Sequence, residues 1–520
     1  MQNKLPLLAL ALFMACNSSQ TTVSESQENK SMADPAKTYA ATITESELRE
    51  HLFTYASDEF EGRETGKEGQ KKAVNYLKEQ YQQMQIPAAQ ANGNYFQEVP
   101  LEITKLPEGS VASGDATYTM GKDFITFSSV EISSDQLVYA GYGIEDTNYT
   151  DFDAIDVAGK VVLIKAGEPV KEDKTYSVSG SMQPSEWSRM SEGLAKKAEL
   201  LTEKGAKAIL FYDPKNYSRF KRSFDYMSRN NSGRMGLKQE DNSAALIVIS
   251  KDMAASLHPE IDEKAEATLL DKPIEIKLKS ENEQISSENV VAVIKGSEKP
   301  EEYIVVSSHL DHIGVNDDGK INNGADDDGS GTVAMLEIAE AFKEAVKAGN
   351  GPKRSLVFLH VTGEEKGLLG SQYYTDVDPI FPLANTVANL NIDMIGRIDP
   401  KRDGDRNYIY LIGSDKLSTD LHQLSESVND EYTNIELDYT YNDEDDPNRF
   451  YYRSDHYNFA KNNIPIIFYF NGTHADYHRD TDTPDKINYD LLKNRTQLVF
   501  YTAWELANRD RRIIVDKATK

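Results

Sequence analysis

The chain has a single cysteine, Cys16, so no disulfide can form within it, and core packing and any bound metal must hold the fold. It also lacks a transmembrane span. Its N-terminal apolar run, LPLLALALFMA, falls well short of the ~20 residues that a bilayer-spanning helix needs. Basic residues are scarce: 57 Lys and Arg stand against 85 Asp and Glu, for a formal net charge of −28. That balance excludes nucleic acid as a partner, because binding it requires clustered cations to neutralise phosphates. An acidic surface instead serves solubility. No internal repeat is visible. What is there is 520 residues with 39% hydrophobic content, enough for two to three domains with a full-sized core.

The apolar run has the length of a signal-peptide core rather than of a membrane anchor, which makes residues 1–15 an export signal. Phe13-Met14-Ala15 before Cys16 resembles a bacterial lipobox, implying cleavage ahead of Cys16, lipid attachment there and anchoring to the cell envelope. Residues 16–41 are polar and Ser/Thr/Gln-rich; they cannot offset the entropy of ordering and read as a disordered tether. A helix is expected to open at Thr44-Glu45-Ser46-Glu47 and to use Leu48, Leu52 and Tyr55. A second, near 69–84, carries Ala73, Tyr76, Leu77 and Tyr81.

From about residue 287 onward, apolar strand-like runs (NVVAVIKG, EYIVVSSH, SLVFLHVTGEE, VANLNIDMIG, IPIIFYFNG) alternate with helical patterns at 332–346 and 491–508. This predicts an α/β domain with a mostly parallel sheet covered by helices. Residues 130–286 differ in texture, with short β-rich pieces punctuated by Gly and Asp. There GYGIEDTNYTDFDAIDVAGKVVLI and LLTEKGAKAILFYD resemble the protease-associated domain, a small α/β module. The expected organisation is a main domain of 42–129 and 287–520 interrupted by an insert of 130–286.

In open α/β sheets, functional residues gather beyond the carboxyl ends of the strands. Here those positions hold His309, Asp311 and His312, then Asp326, Asp327 and Asp328 in a Gly-rich loop, Glu364 and Glu365, Asp393, and Tyr477-His478. One such acid or imidazole is commonly a cap or a solvated group, but the set has the donor chemistry of a hydrolytic zinc pair, in which two ions about 3.5–4 Å apart share a hydroxide. The motifs HLDHIG, NGADDDGSGTVAMLE, GEEKGLLGS, NIDMIGR, RSDHYNFAKNNIPI and YHRDTDTPDKI resemble, in this order, the zinc-dependent aminopeptidase family that includes bacterial leucyl aminopeptidases and glutamate carboxypeptidase relatives. ASDEFEGRETGKEG looks like that family's N-terminal segment.

The resemblance implies a three-layer zinc exopeptidase fold, two Zn²⁺ ions and a peptide substrate cleaved at its N-terminus by a metal-bridged hydroxide. Matched by position, His309 and Asp393 would hold one zinc, Glu365 and His478 the other, and Asp327 would bridge them. Glu364 would be the general base, and the Asp311 carboxylate would orient His309. Tyr477 would stabilise the oxyanion, with Tyr451 as its rival. Asp326 and Asp328 are expected to shape the turn, and His312 to be pocket wall or surface rather than a ligand. Ser454-Asp455-His456 is not expected to act as a triad, because triad members come from separate loops. The acidic run 442–446 reads as a solvated loop, with calcium or a substrate amine as alternatives. Arg449 or Arg453 acting as a carboxylate clamp would give a carboxypeptidase or dipeptidase instead. A glutaminyl cyclase, typically with one zinc, and a binding protein that has lost its ligands are further alternatives. Neither residue preference nor oligomeric state is legible.

Overall fold

Strands built almost wholly of buried apolar residues need cover on both faces, and those of the C-terminal half find it in one sheet. The computed structural model describes residues 34–230, 233–238 and 243–517. Among them the strands of this sheet are β1 (Phe96–Thr104), β2 (Arg234–Leu237), β3 (Glu283–Ile294), β4 (Lys299–His309), β5 (Arg354–Val361), β6 (Thr386–Ile392), β7 (Tyr408–Ile412), β8 (Glu436–Asp438) and β9 (Ile466–Phe470). Side by side they run β2-β1-β3-β5-β4-β6-β9-β7-β8. The centre β5-β4-β6-β9 is parallel. Around it β3, β1 and β2 on one side and β7 on the other join antiparallel. The α/β class is as expected, but the sheet is mixed rather than mostly parallel.

Alternation along the strands divides the core. Ile304, Val306, Leu356 and Phe358 turn to one face, Val305, Val357 and Leu359 to the other, and both faces are buried. On the first face pack helices α1 (Pro35–Ala40), α2 (Glu45–Tyr55), α3 (Glu68–Gln83), α4 (Gly331–Lys347) and α5 (Tyr489–Asn508), with Leu52, Leu77, Leu336, Phe342 and Phe500 in the interior. Thr44 caps α2 as its sequence announces, its hydroxyl oxygen accepting from the Glu47 N–H at 3.2 Å. On the second face lie Tyr374, Phe459 and Ile464, which completes three layers.

Two boundaries differ from the sequence expectation. Residues 34–41, assigned to the tether, are ordered: Asp34 caps α1, Pro35 opens it, and Tyr39 packs against Trp504. Three buried residues, Ala36, Tyr39 and Ala40, on a six-residue helix were too short a pattern to stand out. The rest of the tether, the signal segment and Cys16 lie outside the described residues. Strands 108–113, 116–118 and 124–126, assigned to the main domain, belong instead to two smaller sheets of six and four strands. The second body therefore leaves β1 at Thr104 and returns at Glu283, rather than spanning 130–286. Its six-stranded sheet is parallel at the centre, through 137–139, 161–165, 208–212 and 245–249. One of its segments, β2, crosses back to pair with β1, Leu101 opposite Leu237 and Thr104 opposite Arg234. Among the described residues no helix is long and apolar enough to cross a membrane.

Candidate metal centre

Because β5, β4, β6 and β9 are adjacent and parallel, their carboxyl ends deliver their following residues to one place. β4 ends at His309, β5 leads into Glu364-Glu365, β6 into Asp393 and β9 into the loop that holds Tyr477 and His478; the turn 325–330 enters α4 beside them. His309 Nε2 lies 3.2 Å from Asp327 Oδ1 and 3.6 Å from Asp393 Oδ1. His478 Nε2 lies 3.1 Å from Asp327 Oδ2 and 3.2 Å from Glu365 Oε2. The two carboxylate oxygens of Asp327 thus face two different clusters, so all five candidate ligands come together.

The donor atoms fit cations. Asp327 Oδ2 and Glu365 Oε1 are buried without a hydrogen-bond partner, a costly state for carboxylate oxygens unless a positive charge meets them. Without metal, protons fill that role. Burial opposes a charge on His309, but Glu364, Asp327 and Asp393 lift its pKa well above the usual imidazole range. Burial also opposes a charge on His478, yet Asp327 and Glu365 hold its pKa at about 10. Burial favours the neutral acid at Asp327, but His312, His309 and His478 keep its pKa well below the carboxylate range. A dication would displace these imidazole protons on binding.

Residues 289–503 match the model described as Peptidase family M28. This stretch belongs to peptidase family M28. Over 488 residues, 88% of this chain and 82% of the relative, the sequence is 28% identical to a probable leucine aminopeptidase 2 of Aspergillus oryzae. It is 29% identical over 305 residues to aminopeptidase YwaD of Bacillus subtilis, covering 54% of this chain and 52% of that one. Among solved structures, a zinc aminopeptidase from Bacillus subtilis aligns over 92% of this chain and 99% of its own, with 19% identity and a TM-score of 0.47. An aminopeptidase from Aneurinibacillus sp. strain AM-1 aligns over 92% and 98%, with 18% identity and a TM-score of 0.45. The chain is a zinc-dependent hydrolase whose residues 289–503 carry the M28 match.

In this M28 centre the neighbouring acids divide their work. His309, Asp328 and Asp393 could by proximity share one ion. However, Asp328 accepts from the backbone N–H groups of Gly331 and Met394 at 3.0 Å each and of His309 at 3.3 Å, so its carboxylate is committed to the turn. Asp326 likewise accepts from the Gly396 N–H at 2.7 Å and lies 3.1 Å from His474 Nε2. Both are shape-setting, as the sequence suggests. Asp311 departs from expectation in one detail. Its backbone carbonyl, not its carboxylate, accepts from His309 Nδ1, at 3.0 Å against 4.0 Å to Oδ1. The carboxylate instead accepts from the Glu364 N–H at 3.2 Å and the Thr65 hydroxyl at 2.7 Å, which pins the Glu364 loop. Either way Nε2 of His309 is left facing the cluster.

His312 sits closer to the chemistry than its reading as wall or surface implied. It is fully buried, its Nδ1 2.8 Å from Glu365 Oε1 and 3.7 Å from Asp327 Oδ2, yet neither ring nitrogen makes an aligned hydrogen bond. Arg63, which sequence reasoning missed, ties the centre together from behind. Its buried guanidinium donates to the carbonyls of Tyr55, Leu310, Asn323 and Gly324 at 2.7–3.3 Å, bracing the segments that carry His309 and Asp327. No motif marks such a role.

Glu364, Tyr477 and His478 line a cleft whose apolar wall is Met394, Phe450, Phe468 and Phe470, with Arg453 also on its lining. Phe468 and Phe470, two apart on β9, share a face, a period that could have nominated them. Burial raises the Glu364 pKa, His309 opposing and Asp393, Glu365 and Asp455 adding to the rise. The Tyr477 ring stacks on His478 with centroids 4.0 Å apart. Tyr451 is absent from this cleft and lines the cavity of the acidic loop. Ser454, Asp455 and His456 bond separately to Asn391, Ser371 and the Tyr451 carbonyl, which forms no triad. In the acidic run, Asn442 bonds Asp415 and Asp446 caps the turn to Phe450, so both brace the loop.

Proposed function

We propose that this chain is an exported aminopeptidase with two zinc ions, one held by His309, Asp327 and Asp393 and the other by Asp327, Glu365 and His478. The observation that carries the reading is Asp327, whose two oxygens each meet a separate imidazole-carboxylate cluster. A bound zinc pair acidifies water and polarises a scissile carbonyl. Glu364, at the cleft beside both clusters and biased toward holding a proton, takes one from the attacking water and returns it to the leaving amine. The Tyr477 hydroxyl donates to the oxygen that becomes negative in the transition state. The wall of Met394, Phe450, Phe468 and Phe470 receives an apolar N-terminal side chain. Relatives whose names read aminopeptidase support removal of residues from that end. Export and a lipid anchor at Cys16 rest on the pattern of residues 5–16.

A second reading has its own observation. Arg453 lies on the cleft, its guanidinium over the Phe450 ring at 4.8 Å and in no ion pair among the described residues, placed to take a substrate carboxylate. That favours a carboxypeptidase or dipeptidase. Peptides with free ends, a blocked amine or a blocked carboxylate separate the two. We expect the blocked amine alone to stop cleavage; unchanged cleavage of that peptide refutes the aminopeptidase.

A further inference from the structure

The loop after β5 has two sides. Glu364 looks into the metal cleft, while Lys366, Gly367 and Leu369 form the floor of a separate groove. The opposite wall of that groove comes from the inserted body: β2, Lys105, Phe127 and Met227. The two concavities therefore lie on either side of one four-residue stretch, Glu364 to Gly367, which also carries the candidate ligand Glu365.

Three features define what fits. β2 is the outermost strand of its sheet, so one side of its backbone has no sheet partner. An extended peptide completes such an edge. A Cβ built on Gly236 or on Gly367 would meet nothing within 4 Å, so backbone is open to approach from both walls. The apolar surfaces of Met235, Leu237 and Leu369 alternate with charge, and that charge is of one sign: Lys105, Arg234 and Lys366. Lys366 is bonded to Glu64 at 3.0 Å. Lys105 and Arg234 have no ionic partner among the described residues, in a chain with a net charge of −28.

We propose that this groove binds the residues downstream of the cleaved bond in an extended peptide and selects acidic ones, so that the enzyme acts best on peptides of about five or six residues bearing Asp or Glu after the second position. The length follows from the four residues of β2 at about 3.3 Å each. This rests on the aminopeptidase reading, which fixes which part of the substrate points away from the cleft.

The test compares kcat/KM for Leu-Ala-Glu-Glu-Leu-Glu and Leu-Ala-Lys-Lys-Leu-Lys, with leucine amide alongside, on the zinc-loaded wild type and on the double variant Lys105→Glu/Arg234→Glu. Thermal unfolding of the variant checks that it is intact. We expect the wild type to favour the acidic peptide by about tenfold, the worth of two exposed ion pairs, mostly through KM and less so at high salt. The variant should favour the basic peptide. An acidic-to-basic ratio equal in the two proteins overturns the proposal. If the wild type leaves leucine amide uncleaved, the aminopeptidase reading has failed instead; cleavage of the amide with an unchanged peptide ratio fails the groove alone.

Discussion

Replacing Arg63 by Met keeps a side chain of similar length in the same buried slot and removes four charge-assisted donors. The consequences can be followed acceptor by acceptor. The Leu310 carbonyl still accepts from the Tyr55 hydroxyl at 2.8 Å, and that of Gly324 still accepts from the Gly329 N–H at 3.2 Å. The Asn323 carbonyl is part-buried and within reach of water. The Tyr55 carbonyl, at the end of α2, is left buried and unpaired. At about 1 kcal/mol net for each lost bond and a further ~1 for the stranded carbonyl, the variant should lose about 5 kcal/mol, a large share of the 5–15 typical of a folded domain. Arg63→Lys should lie between, since one ammonium cannot reproduce the planar fork. Urea unfolding followed by fluorescence measures the loss, and zinc content by mass spectrometry tests whether His309 and Asp327 still meet. A loss below about 1 kcal/mol with full zinc content would refute the idea that Arg63 braces the centre.

Glu364→Gln should lower kcat by about 10² to 10⁴ while leaving zinc content unchanged, which titration of the metal alongside the assay will show. His478→Ala should drop the zinc content from two ions to one per chain, and chelation should abolish activity that added zinc restores. Tyr477→Phe should reduce kcat by about tenfold or more with little change in KM if the phenol meets only the transition state; a change confined to KM would place it in the ground state instead. His360 is buried against Tyr81 and Ser308, and burial pushes its pKa down to about 3. Its folded value lies below its unfolded one, so the contribution to stability is present above pH 6.5 and is lost progressively as pH falls toward 3, about 2–3 kcal/mol by pH 4.5. His360→Gln should flatten the stability profile over that range; an unaltered slope counts against it.

The parts of this molecule that announce themselves in sequence share a physical property: local periodicity or a dense cluster of unusual residues. NVVAVI, EYIVVSSH, SLVFLHV, VANLNI and IIFYF all lie in strands, and the helical pattern at 332–346 is α4, because burial on both faces leaves little room for polar residues. The His and acid residues at the strand ends assemble because adjacent parallel strands bring their carboxyl ends together. What escaped depends on long-range partners. The antiparallel edge needs β1 and β3 to meet across nearly two hundred residues. The commitment of Asp328 to three backbone amides and the use of the Asp311 carbonyl in place of its carboxylate follow from turn geometry, to which side-chain identity is blind. The burial of His312 and the reach of Arg63 to four carbonyls are of the same kind.

The return of β2 to the catalytic sheet has a consequence for how the protein can change over evolution or in the hands of an engineer. An insertion joined only at its two ends can be deleted, exchanged or hinged as a unit. This one is stitched at a third point, by a strand from its middle that borders β1 next to the place where the chain departs. Excising it would bare the β1 edge as well as the two cut ends, and a swing about the end connections would have to peel β2 away. The inserted body and the peptidase therefore behave as one inheritable part, and grafts from relatives should carry β1 and β2 together.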